Sequence, residues 1–393
     1  MKRLGDERDL AAELFLARGE ASFNALRARD GVPDLERAAA LQSEMGGDEA
    51  LLVETLSLLA SSLQQIEDYA RANATFARAL ALAQRVLGAR HPRAIMIATN
   101  AGSCLAASGH YAAAADELAQ ALVAEAELYP PSHPDRLTTM HMRADALRGL
   151  GRYDESIALH RDALAVEEKQ QGDALGSLAL GYVLLAQSQV DAGRGTDARA
   201  SLERALAANH AHLGDNPVLA TDAELLRALS LLGDGRFDDA AAALGPLEAR
   251  VEKEIGSSTE LAMTHDGIGR TLVHAGRAAD AVARHEKALA MLESHYGAQS
   301  LVLTPTLRLL GEALVAAGRA ADARPVLERA VAILGSEPSN PLELAEVRFT
   351  LARAIGPGTS AAALFEEVRT FVRSSPYPRA ARLAEAIRTI TDP

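Results

Sequence analysis

The sequence is poor in cysteine, aromatic residues and positive charge, and each shortage excludes a class of protein. Cys104 is the single cysteine in 393 residues, which excludes an internal disulfide and a thiolate-rich zinc site. We expect it to be a small buried residue. Tryptophan is absent and aromatic residues make up 4% of the chain, which argues against an aromatic-lined pocket. The net charge of −13 disfavours binding to nucleic acid or to an anionic membrane.

Long apolar segments are also missing. No uninterrupted apolar run approaches the ~20 residues that are needed to span a bilayer. Lys2 and Arg3 begin the chain, but no long apolar stretch follows them, so the N-terminus does not have the pattern of a secretory signal. We therefore expect a soluble cytoplasmic protein.

Motifs for catalysis or metal binding are absent as well. No Walker loop, His-Glu-x-x-His pair or Gly-x-Ser-x-Gly elbow occurs. His160-Arg161-Asp162 spells the catalytic tripeptide of protein kinases, but Glu167 stands where a kinase has asparagine. Its repeat position predicts that His160 packs between helices, like His285. The sequence predicts no catalytic residues, no cofactor and no metal site.

The sequence does contain a regular repeat. The stretch from Gly151 to Leu164 is typical of a tight turn followed by a helix, and it returns at steps of 42, 42, 42, 42, 41 and 42 residues. The turn residues are Glu67, Gly109, Gly151, Gly193, Gly235, Gly276 and Gly318. Seven residues before each turn stands a small residue, namely Ala60, Gly102, Ala144, Ala186, Ala228, Gly269 and Gly311. This pattern predicts two antiparallel helices per repeat, with the small residues where the helices cross.

The pattern resembles the tetratricopeptide repeat (TPR), in the 42-residue form found in kinesin light chains and many bacterial proteins. That form often has His-Pro before its first helix, and His91-Pro92 and His133-Pro134 match it. Asn216-Pro217 and Asn340-Pro341 are variants of the same pair. The resemblance implies an all-α fold, a right-handed TPR superhelix (α-solenoid) of antiparallel helix pairs with degenerate caps at both ends.

We predict a capping helix pair over residues 1–47, seven repeats over 48–335, and a degenerate repeat with a capping helix over 336–393. In the first cap we expect a helix over 7–28, which Gly31 and Pro33 separate from a second helix. Its predicted inner face consists of Leu10, Leu14, Ala17 and Ala21. At the other end we expect helices over 342–355, 361–372 and 379–390, the last with one face on the core.

In such superhelices the first helix of each pair lines the concave face, so the resemblance places the partner-binding surface there. We predict that the lining residues that bind the partner are Ser57, Ser61, Gln64, Thr99, Asn100, Ser103, His141, Asp145, Arg148, Gln187, Asp191, Leu225, Leu229, Asp266, Arg270, His274, Arg308 and Glu312. Repeats four and five are the most apolar, with Val183, Leu225, Leu229 and Leu232. The groove would hold an extended peptide or a partner helix. The alternative is that the charges are solvated and the leucines pack between helices.

The sequence therefore predicts a non-catalytic scaffold or adaptor with a protein or peptide partner, and without nucleic-acid or membrane binding. The stretch from Leu344 to Ala354 and the last helix are similar to C-terminal TPR regions of certain bacterial Ser/Thr kinases, which implies a link to bacterial signalling. The alternative is a peptide-sensing regulator whose output lies on another chain or on a missing domain.

Overall fold

The computed structural model describes residues 2–25, 27–46, 48–66, 68–170, 176–254, 259–335, 341–375 and 378–391. Within these ranges the chain forms nineteen α-helices, one short 3-10 helix and no β-strand. The predicted all-α repeat fold is confirmed. None of the helices in the described part of the chain is both long and apolar enough to cross a membrane.

The helices group into two compact units, Met1–Arg143 and Ala144–Pro393, and the boundary falls within α7. The first unit contains α1 (Lys2–Asn24), α2 (Ala28–Met45), α3 (Glu49–Gln65), α4 (Tyr69–Val86), α5 (Pro92–Ala107), α6 (Tyr111–Leu128) and the first part of α7 (Pro134–Gly149). The turn spacing predicts second helices over 68–87 and 110–128 in this unit, and α4 and α6 lie within one residue of those bounds.

The second unit continues from the end of α7. Its helices are α8 (Tyr153–Glu167), α9 (Gly176–Asp191), α10 (Gly195–His212), α11 (Pro217–Gly233), α12 (Phe237–Glu254), α13 (Thr259–His274), α14 (Ala278–Tyr296), α15 (Thr304–Ala316), α16 (Ala320–Gly335), α17 (Pro341–Ile355), α18 (Thr359–Ser374) and α19 (Pro378–Thr391). The 3-10 helix, Leu301–Leu303, directly precedes α15. The three C-terminal helices begin and end within two residues of the predicted positions.

The predicted turns close the helix pairs. Backbone φ lies between 74° and 86° at Gly109, Gly151, Gly193, Gly235, Gly276 and Gly318. At Gly151, the Arg152 amide donates to the Leu147 carbonyl and the Gly151 amide to the Arg148 carbonyl, both at 2.9 Å. These bonds satisfy carbonyls that the helix end would otherwise leave open, and the positive φ favours glycine. The first marker, Glu67, lies outside the described residues.

The small residues lie where the paired helices cross, as predicted. A Cβ built on Gly102 would lie 2.5 Å from the Leu118 Cγ, and one on Gly269 would lie 2.5 Å from the His285 Nε2. Such distances leave no room for a side chain, so the two backbones approach closely. His160 and His285 are 0% and 1% exposed, which confirms that both pack between helices.

Cys104 lies in the core of the first unit. Its side chain is completely buried among the apolar residues of α3, α4 and α5. Burial raises the pKa of the thiol to about 12, because an apolar environment disfavours the thiolate. The prediction of a small buried residue is confirmed.

The N-terminal helix pair differs from the prediction in two respects. First, α1 spans Lys2–Asn24 rather than 7–28, and α2 begins at Ala28, so Gly31 and Pro33 lie inside α2 rather than before it. Pro33 is the sixth residue of α2, and because proline has no amide hydrogen the helix lacks one backbone hydrogen bond there. A Cβ on Gly31 would lie 2.9 Å from the Ser22 Cβ and 3.0 Å from the Gly19 carbonyl oxygen, so this glycine permits close packing on α1.

Second, the predicted inner face of α1 is wrong. Leu10 and Leu14 are 67% and 57% exposed, and Ala17 and Ala21 are exposed too. The buried positions are Ala12 and Gly19 instead, and a Cβ built on Gly19 would lie 2.4 Å from the Leu35 Cγ of α2, so the two helices approach closely there.

Candidate partner-binding surface

The predicted partner-binding residues lie on the first helices of the repeats, and the two units hold them as two separate groups. The predicted residues from Ser57 to His141 belong to the first unit and lie on α3, α5 and α7. The predicted residues from Asp145 to Glu312 belong to the second unit and lie on α7, α9, α11, α13 and α15. Most are half-buried, whereas His141 and Leu225 are buried and His274 is exposed.

The first group is mostly unpaired. The side chains of Ser57, Ser61, Gln64, Asn100 and Ser103 are half-buried, and within the described ranges they make no hydrogen bond or ion pair. Buried polar groups usually find partners, so these side chains are suited to hydrogen bonding with water or with a bound chain.

The remaining members of the first group are held more tightly. The Thr99 Oγ1 lies 3.4 Å from the Thr139 Oγ1, and Thr139 donates to Glu125 at 2.8 Å. Burial raises the pKa of the Glu125 carboxyl, which is 2% exposed. Met96 lies one turn before Asn100 and is 49% exposed, so it adds an apolar contact surface.

In the second unit, four predicted residues form one polar network. The Arg148 Nη1 donates to the Asp191 Oδ2 at 2.9 Å, and its Nε lies 3.5 Å from the Asp145 Oδ1. Gln187 donates to the other Asp191 oxygen at 3.4 Å. The network joins the first helices of repeats three and four, so these groups already have partners within the chain.

Asp266 is similarly engaged inside the protein. Its carboxylate lies 2.7 Å from the His285 Nδ1 and accepts a hydrogen bond from Thr306 at 2.5 Å. Nearby, the exposed His274 stacks on Phe237 with ring centroids 3.5 Å apart. Burial lowers the pKa of His274, and the positive charge of Arg270 lowers it further.

Arg308 is the most strongly held of the predicted residues. Its guanidinium is 12% exposed and pairs with Glu312 at 2.7 Å, Glu343 at 2.9 Å and Glu346 at 3.5 Å. Burial alone would lower the guanidinium pKa, but the carboxylates outweigh it and raise the pKa well above the ordinary value. Arg308 thus ties α15 to α17 through Glu343 and Glu346.

Sequence reasoning missed three acidic residues of this surface. Glu343 and Glu346 lie on α17, and Glu346 precedes the turn at Gly356 by the same ten residues that separate Arg308 from Gly318. Following the repeat through Gly356 would have found them. Asp222 stands on α11, where burial and then the charge of Glu260 raise its carboxyl pKa to about 6.

The apolar patch predicted in repeats four and five is largely buried, and Leu229 is the one of its four residues that is half-buried. Leu225 and Leu232 pack in a cluster between α11, α12 and α13. Val183 lies in a second buried cluster that includes Leu342 of α17 and Ala380 of α19. In the described residues, no group of three or more His, Cys, Asp or Glu side chains could hold a metal ion.

Comparison with known proteins agrees with this architecture. A tetratricopeptide-repeat family model matches residues 51–124 and 259–336, and a second tetratricopeptide-repeat model matches residues 136–169. No curated protein matches the chain in sequence.

Several solved structures are similar. A Rap protein complexed with Competence and Sporulation Factor is 13% identical with a TM-score of 0.55, over 91% of this chain and 99% of that one. NprR in complex with its cognate peptide NprX is 12% identical with a TM-score of 0.56, over 84% and 97%. A putative kinesin light chain of Podosopora anserina is 21% identical with a TM-score of 0.45, over 51% and 95%. The tetratricopeptide-repeat models thus match three segments of the chain, and the Rap protein and NprR share its all-α fold.

Proposed function

We propose that this protein is a non-catalytic interaction scaffold or adaptor that binds a peptide or a partner helix on the first-helix lining of its repeats. Helix-pair repeats of this kind present an extended surface and generally serve in protein interaction. We place the protein in the bacterial cytoplasm, in signalling, with a protein or peptide partner. Its net charge of −13 disfavours nucleic acid and anionic membranes as alternative partners.

The observation that supports this proposal best is the set of unpaired polar side chains in the first unit. Ser57, Ser61, Gln64, Asn100 and Ser103 offer hydroxyl and amide groups that no neighbour in the described chain satisfies. An extended peptide has backbone N–H and C=O groups in need of such partners. Met96 supplies an exposed apolar contact beside them. The charged residues of the second unit are largely paired within the protein, so we assign the main contacts to the first unit.

The test begins with peptides selected from a displayed library on the full-length chain. We expect Gln64→Ala and Asn100→Ala each to weaken binding of a selected peptide by roughly fivefold, the effect of one lost hydrogen bond. Gln120→Ala is the matched control, because Gln120 is an exposed glutamine on the second helix α6. Equal affinities of all three variants and the unaltered chain would rule out the first-unit surface.

A second candidate function is a peptide-sensing regulator whose output lies on another chain or on a missing domain. Two proteins of similar fold motivate this candidate: NprR was solved with its cognate peptide NprX, and the Rap protein was solved with Competence and Sporulation Factor. Short free peptides would then raise the melting temperature of the chain by binding its folded state. A screen that yields protein partners but no stabilising short peptide would favour the scaffold.

A further inference from the structure

The fourth repeat has a polar residue at a position that is apolar in every other repeat. Gln189 stands four residues before the turn at Gly193 and is 2% exposed. At the same distance from their turns, the other six repeats have leucine, namely Leu63, Leu105, Leu147, Leu231, Leu272 and Leu314. Burial of an amide costs free energy unless its groups are hydrogen-bonded, so this exception to the repeat needs a physical reason.

The Gln189 amide is bonded at one of its two groups. Ser201 of α10 donates to the Gln189 Oε1 at 2.8 Å. The Gln189 Nε2 makes no hydrogen bond with any residue that the structure describes. Its two N–H donors are therefore available to an acceptor that the described chain does not supply. A bound molecule with such an acceptor would offset the cost of burying this group.

Gln189 lines a cavity of about 330 Å³ between the second helices of repeats three and four. Leu164 and Ala165 of α8 line one side of this cavity, and Ser201 of α10 lines the other. The first helix α9 packs against both α8 and α10 and contributes Leu185 and Gln189 at the bottom. A volume of this order, near the lower end of about 300–1,000 Å³, is typical of sites for small organic molecules.

Two ion pairs join α8 to α10 and close the cavity at both ends. The Arg161 Nη2 lies 4.0 Å from the Asp197 Oδ2, and the Arg204 Nη2 lies 2.5 Å from the Glu168 Oε1. On each helix the two paired residues are seven positions apart, which corresponds to two turns or about 10 Å. All four side chains line the cavity. A ligand is therefore limited to roughly this length, which favours a small molecule over a continuous peptide chain.

The polar groups of the cavity favour a neutral ligand. The charged side chains at its rim pair with one another, and the buried Tyr182 donates its hydroxyl to Glu168. The free group at the bottom is the uncharged amide of Gln189. An ionised group of a ligand would lose its hydration there and gain one neutral partner, which is unfavourable. A neutral carbonyl oxygen is the acceptor that matches this donor.

We propose that this cavity binds a small neutral organic molecule that carries a carbonyl acceptor on an apolar body. The carbonyl accepts a hydrogen bond from the Gln189 Nε2, and the apolar body lies against Leu164 and Leu185. The cavity shares no residue with the predicted partner-binding set. It is therefore a further function of the protein and does not rest on the proposed interaction with a peptide or partner helix.

The test uses the isotope-labelled full-length chain and hexanamide, a neutral carbonyl compound on an apolar chain that is short enough for the cavity. NMR follows the side-chain amide signal of Gln189, which is assigned by its absence from the spectrum of Gln189→Leu. We expect this signal to shift and to saturate with a Kd on the order of 1 mM, as suits so small a ligand. Hexanoate has the same carbon chain with a charge and should bind at least tenfold more weakly.

Three variants locate the site, with binding measured by ligand-detected NMR. Gln189→Leu restores the leucine of the other repeats, so it should not lower the melting temperature, yet it should weaken hexanamide binding by about tenfold, the effect of one lost buried hydrogen bond. Ala165→Phe fills the cavity from an exposed position and should weaken binding at least as much. Gln120→Leu makes the same chemical change at an exposed position of α6 and should leave binding within twofold.

Three results would overturn the proposal. An unmoved Gln189 signal at ten times the expected Kd would mean that the cavity does not accept this class of ligand. Binding that survives in both Gln189→Leu and Ala165→Phe would place the ligand elsewhere on the protein. Hexanoate bound as tightly as hexanamide would reject the neutral acceptor. Circular dichroism checks the fold of each variant, and if Gln189→Leu does not fold, Ala165→Phe alone decides the location.

Discussion

At the scale of single residues, the predicted lining contains two kinds of side chain. Some are paired with other groups of the same chain, and the others are available to bind a partner. Arg308 is of the first kind, because its guanidinium is enclosed by the carboxylates of Glu312, Glu343 and Glu346. A buried charge is costly unless it is paired, and removal of one partner leaves the others uncompensated. Arg308 therefore has a structural role, whatever the repeats bind.

We predict that Arg308→Met destabilises the protein by about 3 kcal/mol, because three carboxylates would lose their shared cation. Urea unfolding followed by circular dichroism measures this loss. Arg319→Met is the control, since Arg319 pairs with Asp322 at the surface with half of its side chain exposed and should matter little. Equal losses in the two variants would contradict the structural role of Arg308.

Asp222 gives a second prediction at this scale, concerning pH. Its pKa is raised to about 6 in the folded protein by burial and by Glu260, whereas an unfolded chain has a pKa near 3.9. The folded state then binds the proton more tightly, so this group lowers stability as pH rises from about 4 through about 6. Asp222→Asn should therefore stabilise the protein at pH 7.5 by roughly 1–2 kcal/mol, and by less at pH 5.

The measurement for Asp222→Asn is urea unfolding at both pH values. Glu203→Gln, on the exposed face of α10, controls for the loss of one negative charge. A stabilisation that is independent of pH, or one that Glu203→Gln reproduces, would show that the raised pKa of Asp222 is not its cause.

At the scale of the helices, the feature that recurs along the chain is the close crossing of the two helices of each repeat. Gly269 on α13 lies against the ring of His285, which the carboxylate of Asp266 holds in place. Because that ring is fixed, a methyl group on Gly269 has no space to enter. Glycine in the middle of a helix is otherwise unfavourable, so its presence here reflects packing.

We predict opposite effects for two glycine-to-alanine changes. Gly269→Ala should destabilise the protein by about 1–3 kcal/mol, because the added Cβ would lie 2.5 Å from the His285 Nε2. Gly245→Ala in α12 meets no atom within 4 Å and should stabilise the helix by up to about 1 kcal/mol. Thermal unfolding of both variants tests the pair, and changes of the same sign would refute the packing argument.

The periodic part of this architecture could be predicted from the sequence, and the rest could not. The left-handed glycines and the small residues at the crossings recur every 42 residues, so their spacing alone predicted the helix pairs. In α1, the spacing of Leu10 and Leu14 predicted that their face of the helix is buried. Gly19 of α1 and Gly31 of α2 instead allow the two helices to pack together on a different face. Ala380 shares a buried cluster with residues of repeat four, and because these segments have no shared period, no local sequence pattern indicates that they come together.

At the scale of the whole molecule, the chain consists of two compact units, each with its own buried clusters. Within the second unit, arginines reach back to glutamates 36 residues earlier, as in Arg204 with Glu168 and Arg329 with Glu293. These pairs link successive second helices. The stability of a repeat array is a sum over the repeats and the interfaces between them. Such an array can therefore unfold in more than one transition.

We predict two unfolding transitions in urea, one for each unit. Gly102→Ala, in which a Cβ would lie 2.5 Å from the Leu118 Cγ, should shift only the transition of the first unit. Gly269→Ala should shift only the other. Pulse proteolysis assigns each transition to its unit, and a single transition that moves with both changes would contradict the prediction.

The buried thiol of Cys104 has a practical consequence. With a pKa near 12 and no exposed surface, it stays protonated and unreactive toward maleimide at neutral pH. Any cysteine introduced at an exposed position is then the sole labelling site, without prior removal of the natural one. Cysteines introduced at positions 194 and 382 could then carry a pair of dyes. Energy transfer between the two dyes of one molecule would report the distance of the last helix from the end of α9.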